Sequence, residues 1–544
     1  MCSLVGTYGR EHPPRSASVY GDLLAVMILY VALAVIIQSR TDTNPAVFRG
    51  SDEPAHYVTG LLVRDYAAGE YVGAPIHFAE EYYFHYPKIA LGHWPPLFYV
   101  LESIWMRVFS PSREPLMRLM ALLAAGIAGL MYWTLRSQGL RAAGIAAGAL
   151  WLSSPIVRIY SSQIMLEIPL TLLTLAATIQ FGHFLDTARV RAMVWFSVFA
   201  SLAILTKANG LALLLVPPLA VCLARRFSLL SRWYFWMAGL IVGGLCGPWY
   251  WLTWTLMREA WSPSRFLSNT TTVLSYQAHH AAGILGVLAI PAVLGVFAKL
   301  RHGTGFWPAA TATTLAVFCF HTFVSPRAEA RHLVAGTPMV YLFAAAGLDC
   351  IARWLWRYEH PDAGFIAPTV LRVALLGNLI VYKMPDPVGS GFADVAGVLL
   401  TKSELQPYRW MVSTPDGEGE GQFIAEVAMR DNRPGQVILR ASKTLSSSRW
   451  MGGDYQPYYF TPEEVIQYLQ SVSACVVVVE RRWDVTAFRH HDLVLQALDR
   501  YPERWGRIGS FGPVEAVQLR DCNSSPRSKV LLHLEHTLKR NIEK

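Results

Sequence analysis

Three groups of polar side chains stand out against an otherwise apolar chain, and together they could work on a hydroxyl and a phosphate. The first is Ser51-Asp52-Glu53-Pro54, where adjacent carboxylates suit a general base or a metal ligand. The same residues also make an ordinary helix N-terminus, with Ser51 or Asp52 capping and the acids complementing the dipole. Spacing alone leaves these two readings even. The second is Glu167, followed by Pro169, at the mouth of an apolar run. An acid there is costly unless it faces a cavity or a partner, although Glu167 would sit in interfacial water if the preceding run ends near Tyr160. The third group is cationic: Lys207 in Leu205-Thr206-Lys207-Ala208-Asn209-Gly210, then Arg327, Arg331 and His332 in Ser325–Pro338. Arg and Lys suit an anionic phosphate, and each taken singly is also what snorkelling to lipid phosphates produces. Carboxylates and cations together are more specific. A reaction that needs a base for a hydroxyl and an electrostatic sink for a departing phosphate uses both.

The elements that must hold these groups are read from composition. Of 544 residues, 53% are hydrophobic and 16% charged, with a mean hydropathy of +0.30, whereas a soluble chain of this size carries about a quarter charged residues. The apolar residues fall in runs such as Met27–Ile37, Ala121–Trp133 and Trp236–Leu245, which reach the roughly 20 residues of a spanning helix once flanks are added. Spans are expected near 20–38, 116–135, 142–160, 167–185, 192–206, 208–224, 233–257, 281–298, 305–324, 333–352 and 364–382. Trp94–Phe109 is short, begins at Pro95-Pro96 and contains Glu102 and Arg107, so it either crosses or lies at the interface. With the non-crossing choice, Arg10 and Arg15 and the loops holding Arg136/Arg141, Arg189/Arg191, Arg225/Arg226/Arg232, Lys299/Arg301 and Arg353/Arg357 all face the cytoplasm, as the positive-inside tendency favours. The long first loop (39–93) and the chain after the last span then face outward.

The net charge of +9 follows from these loops; no basic, aromatic-interleaved stretch points to nucleic acid. The first apolar run is too long, and lacks the small-residue cleavage context, to be a removable signal peptide. The seven cysteines are scattered, four of them (Cys222, Cys246, Cys319, Cys350) in or beside spans, and no CxxC spacing suggests a redox or zinc function. Composition changes after Lys383. Residues 384–407 read as a linker, 408–522 as a small soluble α/β domain and 523–544 as a tail. Arg409–Ser413, Gln436–Arg440 and Cys475–Val479 are strand candidates, and Phe423–Met429, Pro462–Leu469 and Leu493–Leu498 helical ones; their alternation suggests a parallel sheet. Gly417-Glu418-Gly419-Glu420-Gly421 resembles a phosphate loop only superficially, because its acids repel phosphate and no Walker lysine follows. It reads as an ordinary turn.

At these positions the sequence resembles the GT-C glycosyltransferases, and within them the bacterial relatives of protein O-mannosyltransferases and of the aminoarabinose transferases that modify lipid A. The motifs in order are Asp52-Glu53, Gly92-His93-Trp94-Pro95-Pro96-Leu97, Leu166-Glu167-Ile168-Pro169, Leu205–Gly210, Gly247-Pro248-Trp249-Tyr250 and Arg331-His332-Leu333. The resemblance implies a polytopic α-helical membrane protein of about 11 to 13 spans with a C-terminal soluble α/β domain. It also implies a donor sugar on a polyprenyl phosphate, transferred to a lipid, glycan or protein acceptor at the outer face of the plasma membrane. Carried over, Asp52 is the general base, Glu53 supports it, Glu167 is the second acid, and Lys207, Arg327, Arg331 and His332 serve the lipid phosphate. Glu167 departs from relatives that have Asp there. No cofactor follows for certain. A divalent metal stays open: His93 and His280 (or His279) lie where some relatives hold one, yet no ligand spacing supports them and they read more readily as ordinary interfacial histidines.

Two other functions need the same polar cavity or outer domain. A transporter or flippase for lipid-linked sugars would show paired repeats and polar residues at mid-membrane; no repeat is visible, and the polar residues gather at span ends. A non-catalytic membrane scaffold would leave those residues without a reason.

Overall fold

Away from water only internal hydrogen bonding satisfies a backbone, so the apolar runs become helices. The computed structural model describes residues 16–40, 47–69, 73–90, 92–257, 270–324, 329–355, 363–381, 391–448, 454–482, 488–532 and 541–544. Its first half contains α1 (Ser16–Arg40), α2 (Asp52–Ala67), α3 (Pro75–His85), α4 (Leu97–Val108), α5 (Arg113–Arg136), α6 (Arg141–Ser153), α7 (Pro155–Ser161) and α8 (Glu167–Thr187). Next come α9 (Val190–Thr206), α10 (Val216–Leu223), α11 (Trp233–Met257), α12 (Thr270–Leu285), α13 (Ala289–His302), α14 (Phe306–Phe323), α15 (Thr337–Leu355) and α16 (Ala363–Val381).

Among the described residues five helices are long and apolar enough to cross a bilayer: Tyr20–Ser39, Arg113–Arg136, Glu167–Thr187, Trp233–Met257 and Ala330–Leu355. Two bent pairs, α6 with α7 at 65° and Thr270–Ala281 with Gly286–His302 at 99°, raise the number to seven. Val190–Thr206, Ala208–Leu223 and Phe365–Ile380 are apolar but shorter. The expected number of crossings is reached only if these and α14 also cross. The α6–α7 bend falls at Pro155, where a helix loses a donor. At 12 residues α4 is shorter than the roughly 20 of a spanning helix, and it lies against α2.

Between spanning helices the packing uses small residues, because lipid offers no hydrophobic drive. A Cβ on Gly295 of α13 would meet the Phe343 carbonyl at 2.0 Å, and one on Gly347 of α15 the Pro291 carbonyl at 1.8 Å. This reciprocal pair lets the two backbones touch. At the end of the bundle remote from Asp52, Asp22 of α1 takes Arg136 (3.2 Å) and Arg141, two of the cations expected inside.

The C-terminal part holds α17 (Gly391–Thr401), β1 (Trp410–Ser413), α18 (Glu418–Arg430), β2 (Ile438–Arg440), α19 (Ala441–Thr444), β3 (Ser446–Ser447), β4 (Gln456–Pro457), α20 (Pro462–Ser471), β5 (Val476–Glu480), α21 (Arg489–Arg500), β6 (Trp505–Phe511), β7 (Val514–Leu519), β8 (Leu531–Leu532) and β9 (Ile542–Glu543). The five-stranded sheet runs β2-β1-β5-β7-β6. Its β2, β1 and β5, the strands expected from the sequence, are parallel as expected, and β7 and β6 extend the sheet antiparallel. The missed hairpin turns at Gly512, φ +62°, and β6 is half-exposed with two glycines, so it lacks a strand's apolar alternation. Gly417–Gly421 is corrected: only Gly417 (φ +75°) is turn, and α18 starts at Glu418. Cys475 and Cys522 form a disulfide across 47 residues, a pairing that no local spacing announces.

This domain is latched to α2 and α3. Arg433 Nε donates to Asp65 Oδ2 at 2.7 Å, where Tyr82 also donates at 3.0 Å. Tyr86 donates to Asp431 Oδ2 at 2.8 Å, and the Arg440 guanidinium to the Pro87 carbonyl at 3.4 Å.

Candidate active site

Four side chains from four distant segments meet at one end of the bundle, each set there by a chain break or helix terminus. Asp52 opens α2 and Glu167 opens α8. Lys207 is the extended residue (φ −154°, ψ 138°) that ends α9. The chain turns back so closely after it that a Cβ at Gly210 would lie 2.6 Å from the Ala203 carbonyl carbon. Arg331 sits in the 3-10 turn Ala330–Gly336 that leads into α15.

Arg331 Nη1 donates to Asp52 Oδ2 at 2.5 Å, its Nε is 3.8 Å from Glu167 Oε1, and it also holds Glu329. Lys207 Nζ donates to Glu167 Oε1 at 2.5 Å. The result is a continuous chain of charges, Asp52–Arg331–Glu167–Lys207. Glu167 is buried, yet its Oε2 accepts no hydrogen bond among the described residues. Asp52 is 27% exposed. Burial alone would raise its pKa, but the charges of Arg331, His56 and Lys207 outweigh burial and hold the carboxyl at about 2. In this state Asp52 is fully ionised at neutral pH.

Glu53 points elsewhere. It is fully buried, with Oε1 accepting from Arg113 Nε (3.0 Å), Arg113 Nη2 (2.5 Å) and the Ile164 amide (3.0 Å), and Oε2 from the Arg49 amide (2.7 Å). Three of these four bonds fall on Oε1 and one on Oε2. Glu53 thereby ties the start of α2 to α5 and the 162–164 loop.

His332 stacks parallel to His321 of α14, ring centroids 4.5 Å apart, behind Arg331. Arg327 lies outside the described residues. His93 and His280 are not gathered into a ligand set: no cluster of three or more His, Cys, Asp or Glu fit to hold a metal exists among the described residues. His280 instead stacks on Tyr276 at 4.0 Å and pairs through Nδ1 with the Tyr276 carbonyl at 2.9 Å. These residues do not fit a metal, and no step below passes through one.

One site residue escaped the sequence reading. His56, a turn after Asp52 on α2, is buried. Its Nδ1 pairs with the Tyr99 hydroxyl at 2.9 Å, and its ring lies 4.4 Å from Trp94 of the Gly92–Leu97 motif. Burial holds the imidazole at about 4, against the opposing charges of Asp52 and Glu167, so it stays neutral at pH 7. The i, i+4 spacing from Asp52 was the available signal.

Residues 87–234 match the family described as dolichyl-phosphate-mannose-protein mannosyltransferase, a stretch that includes Glu167 and Lys207 but neither Asp52 nor Arg331. No curated protein matches the chain in sequence. Among solved structures, ArnT from Cupriavidus metallidurans bound to undecaprenyl phosphate superposes with a TM-score of 0.59 at 14% identity, over 90% of this chain and 97% of that one. Archaeal oligosaccharyltransferase AglB from Archaeoglobus fulgidus, in complex with an inhibitory peptide and a dolichol-phosphate, gives 0.54 at 11%, over 91% and 74%. The arabinofuranosyltransferase AftD from Mycobacteria gives 0.50 at 14%, over 94% and 42%. With its several apolar helices, the carboxylate–cation chain at one bundle end and these likenesses, the chain is a multi-pass membrane protein with the GT-C glycosyltransferase fold that resembles the protein O-mannosyltransferases and ArnT.

Proposed function

We propose that this chain is a glycosyltransferase that moves a sugar from a polyprenyl-phosphate donor to an acceptor hydroxyl or phosphate on a lipid, glycan or protein at the outer face of the membrane. The observation that carries the reading is the unbroken sequence Asp52–Arg331–Glu167–Lys207, which juxtaposes a base and two phosphate-binding cations. The bound lipid phosphates of the similar structures support the donor class. The outward direction rests on the cations gathered at the opposite bundle end and on the Cys475–Cys522 disulfide, a bond that persists in oxidising compartments.

Arg331 neutralises Asp52 and Lys207 neutralises Glu167. An arriving phosphate competes for both cations, which loosens Arg331 from Asp52 and lets the carboxyl rise from about 2 toward its ordinary value near 4. Asp52 then accepts the acceptor's proton as its oxygen bonds to the anomeric carbon. The bond from that carbon to the phosphate oxygen breaks with inversion, and the polyprenyl phosphate departs with its new charge on Arg331 and Lys207. Glu167 keeps both cations oriented. Such positioned groups contribute roughly several kcal/mol each.

The test is incubation of the purified protein with a labelled polyprenyl-phosphate sugar. Release of lipid phosphate with sugar transferred is expected. Translocation without bond cleavage would make the chain a transporter, and absence of any engagement would leave a scaffold.

A further inference from the structure

Arg331 and Lys207 each have a carboxylate; two lysines nearby do not. Lys88 lies on the loop between α3 and α4, just ahead of the Gly92–Leu97 motif, and Lys443 lies on α19 of the C-terminal domain. Among the described residues Lys88 Nζ has no hydrogen bond or ion pair, and Lys443 Nζ donates only to Ser448, to its carbonyl at 3.1 Å and its hydroxyl at 3.4 Å. Gly421 of α18 makes the room for Lys88: a Cβ there would stand 2.6 Å from Lys88 Cε and 3.1 Å from Nζ. Arg440 beside them is already held by Glu420 (Nε to Oε2, 3.1 Å), and Glu420 is further occupied by the Ser442 amide at 3.0 Å. The remaining facing carboxylate, Glu418, is exposed at the rim.

Burial, then the charge of Arg440, holds Lys88 down at about 7 and Lys443 at about 8. Two partly buried ammonium groups with no carboxylate of their own are a standing electrostatic cost. An anion arriving between them would relieve it. Asp52 is among the charges that act on Lys88, so the lysines lie within electrostatic reach of the same carboxylate as the donor cations. We infer that Lys88 and Lys443 form a subsite for an anionic group, a phosphate monoester or carboxylate, that the acceptor carries near the oxygen to be attacked. The inference rests on the transferase reading above and deepens it: the cations of the membrane part hold the donor's phosphate, while this pair selects an acidic acceptor.

The full chain, in phosphatidylcholine nanodiscs with its lysines reductively 13C-methylated, is titrated with methyl phosphate. The Lys88 and Lys443 resonances are assigned by Lys88→Gln and Lys443→Gln. Both resonances should move together and saturate, and Lys88→Gln should weaken the affinity read at Lys443 about tenfold. Gly421→Ala, which displaces the Lys88 ammonium, should act in the same direction. Lys207 reports the donor end separately, and exposed Lys529 gives the background. Resonances that shift no more than Lys529, or that shift only when phosphatidylglycerol is in the disc, overturn the subsite. In transfer assays the wild type should favour an alkyl glycoside bearing a phosphate monoester over its neutral counterpart, and Lys88→Gln should lose that preference. Equal use of both by the wild type sinks the inference and leaves the transferase standing. Methyl phosphate binding without transfer to either acceptor sinks the transferase reading and the acceptor role together.

Discussion

Asp52 and Glu53 are neighbours with opposite duties, and separate substitutions should show it. Glu53→Ala removes the acceptor of four donors and leaves Arg113, 2% exposed, with an uncompensated charge. Breaking a buried pair from one side costs about 3–5 kcal/mol. That is a large share of the roughly 5–15 kcal/mol that holds a domain together. The variant should be recovered in poor yield, and its monodisperse fraction should collapse at a markedly lower temperature than the wild type's. Asp52→Asn, by contrast, keeps an amide oxygen for Arg331 in a pair that is only partly buried. It should cost about 1–2 kcal/mol of stability, less than the loss of Glu53. Its chemistry should suffer instead: an amide cannot take the acceptor's proton, and transfer should fall about a hundredfold or more, equivalent to about 2.7 kcal/mol of barrier. The assay pairs size-exclusion profiles after graded heating with single-turnover transfer of labelled sugar. A stable, fully folded Glu53→Ala protein, or an Asp52→Asn protein with near-normal transfer, would refute the division of labour drawn from these contacts.

Arg331→Ala should raise the donor KM by about ten- to a hundredfold with a smaller change in kcat; unchanged donor affinity would remove Arg331 from the phosphate. Reducing the Cys475–Cys522 bond should destabilise the C-terminal domain by about 4 kcal/mol for its loop length, seen as earlier proteolysis of that domain, and an indifferent domain would show that the bond closes no constraint. Acid should weaken the fold through histidines kept neutral by burial: His56, His93 and His491 are each held down at about 4. Because the unfolded chain protonates near 6.5 and the folded one only near 4, stability should be complete above pH about 6.5 and decline as pH falls toward 4. Tryptophan fluorescence melts at pH 7.5 and pH 5 test this, and equal midpoints would contradict it.

How much of this was legible beforehand depends on where the information lay. The apolar runs gave the helices because the bilayer enforces length and composition locally. Glu167 and Lys207 were legible as charges bordering apolar runs, whereas Asp52 and Arg331 stand in polar stretches and were legible from their place beside a span; helix ends bring the four together. Glu53 shared the signal of Asp52, and only the three-dimensional placement of Arg113 and Ile164 separates their roles. His56 was lost as an unremarked polar residue within a short helix. The β6–β7 hairpin has too little apolar alternation to announce itself, and the disulfide joins residues 47 apart. Lys88 acquires meaning only from Gly421 and Lys443, more than three hundred residues downstream.

The latch between Asp65 and Arg433 has a practical consequence for anyone wishing to recombine this protein. Asp52 and Asp65 stand at opposite ends of one helix, α2, so the rod that presents Asp52 is clamped at its far end by the C-terminal domain. Grafting another relative's tail onto residues 1–383, or deleting 391–544, would take Arg433 from Asp65 and Asp431 from Tyr86 and let that rod tilt. A workable chimera must therefore exchange residues 47–90 and 391–544 as a single cassette.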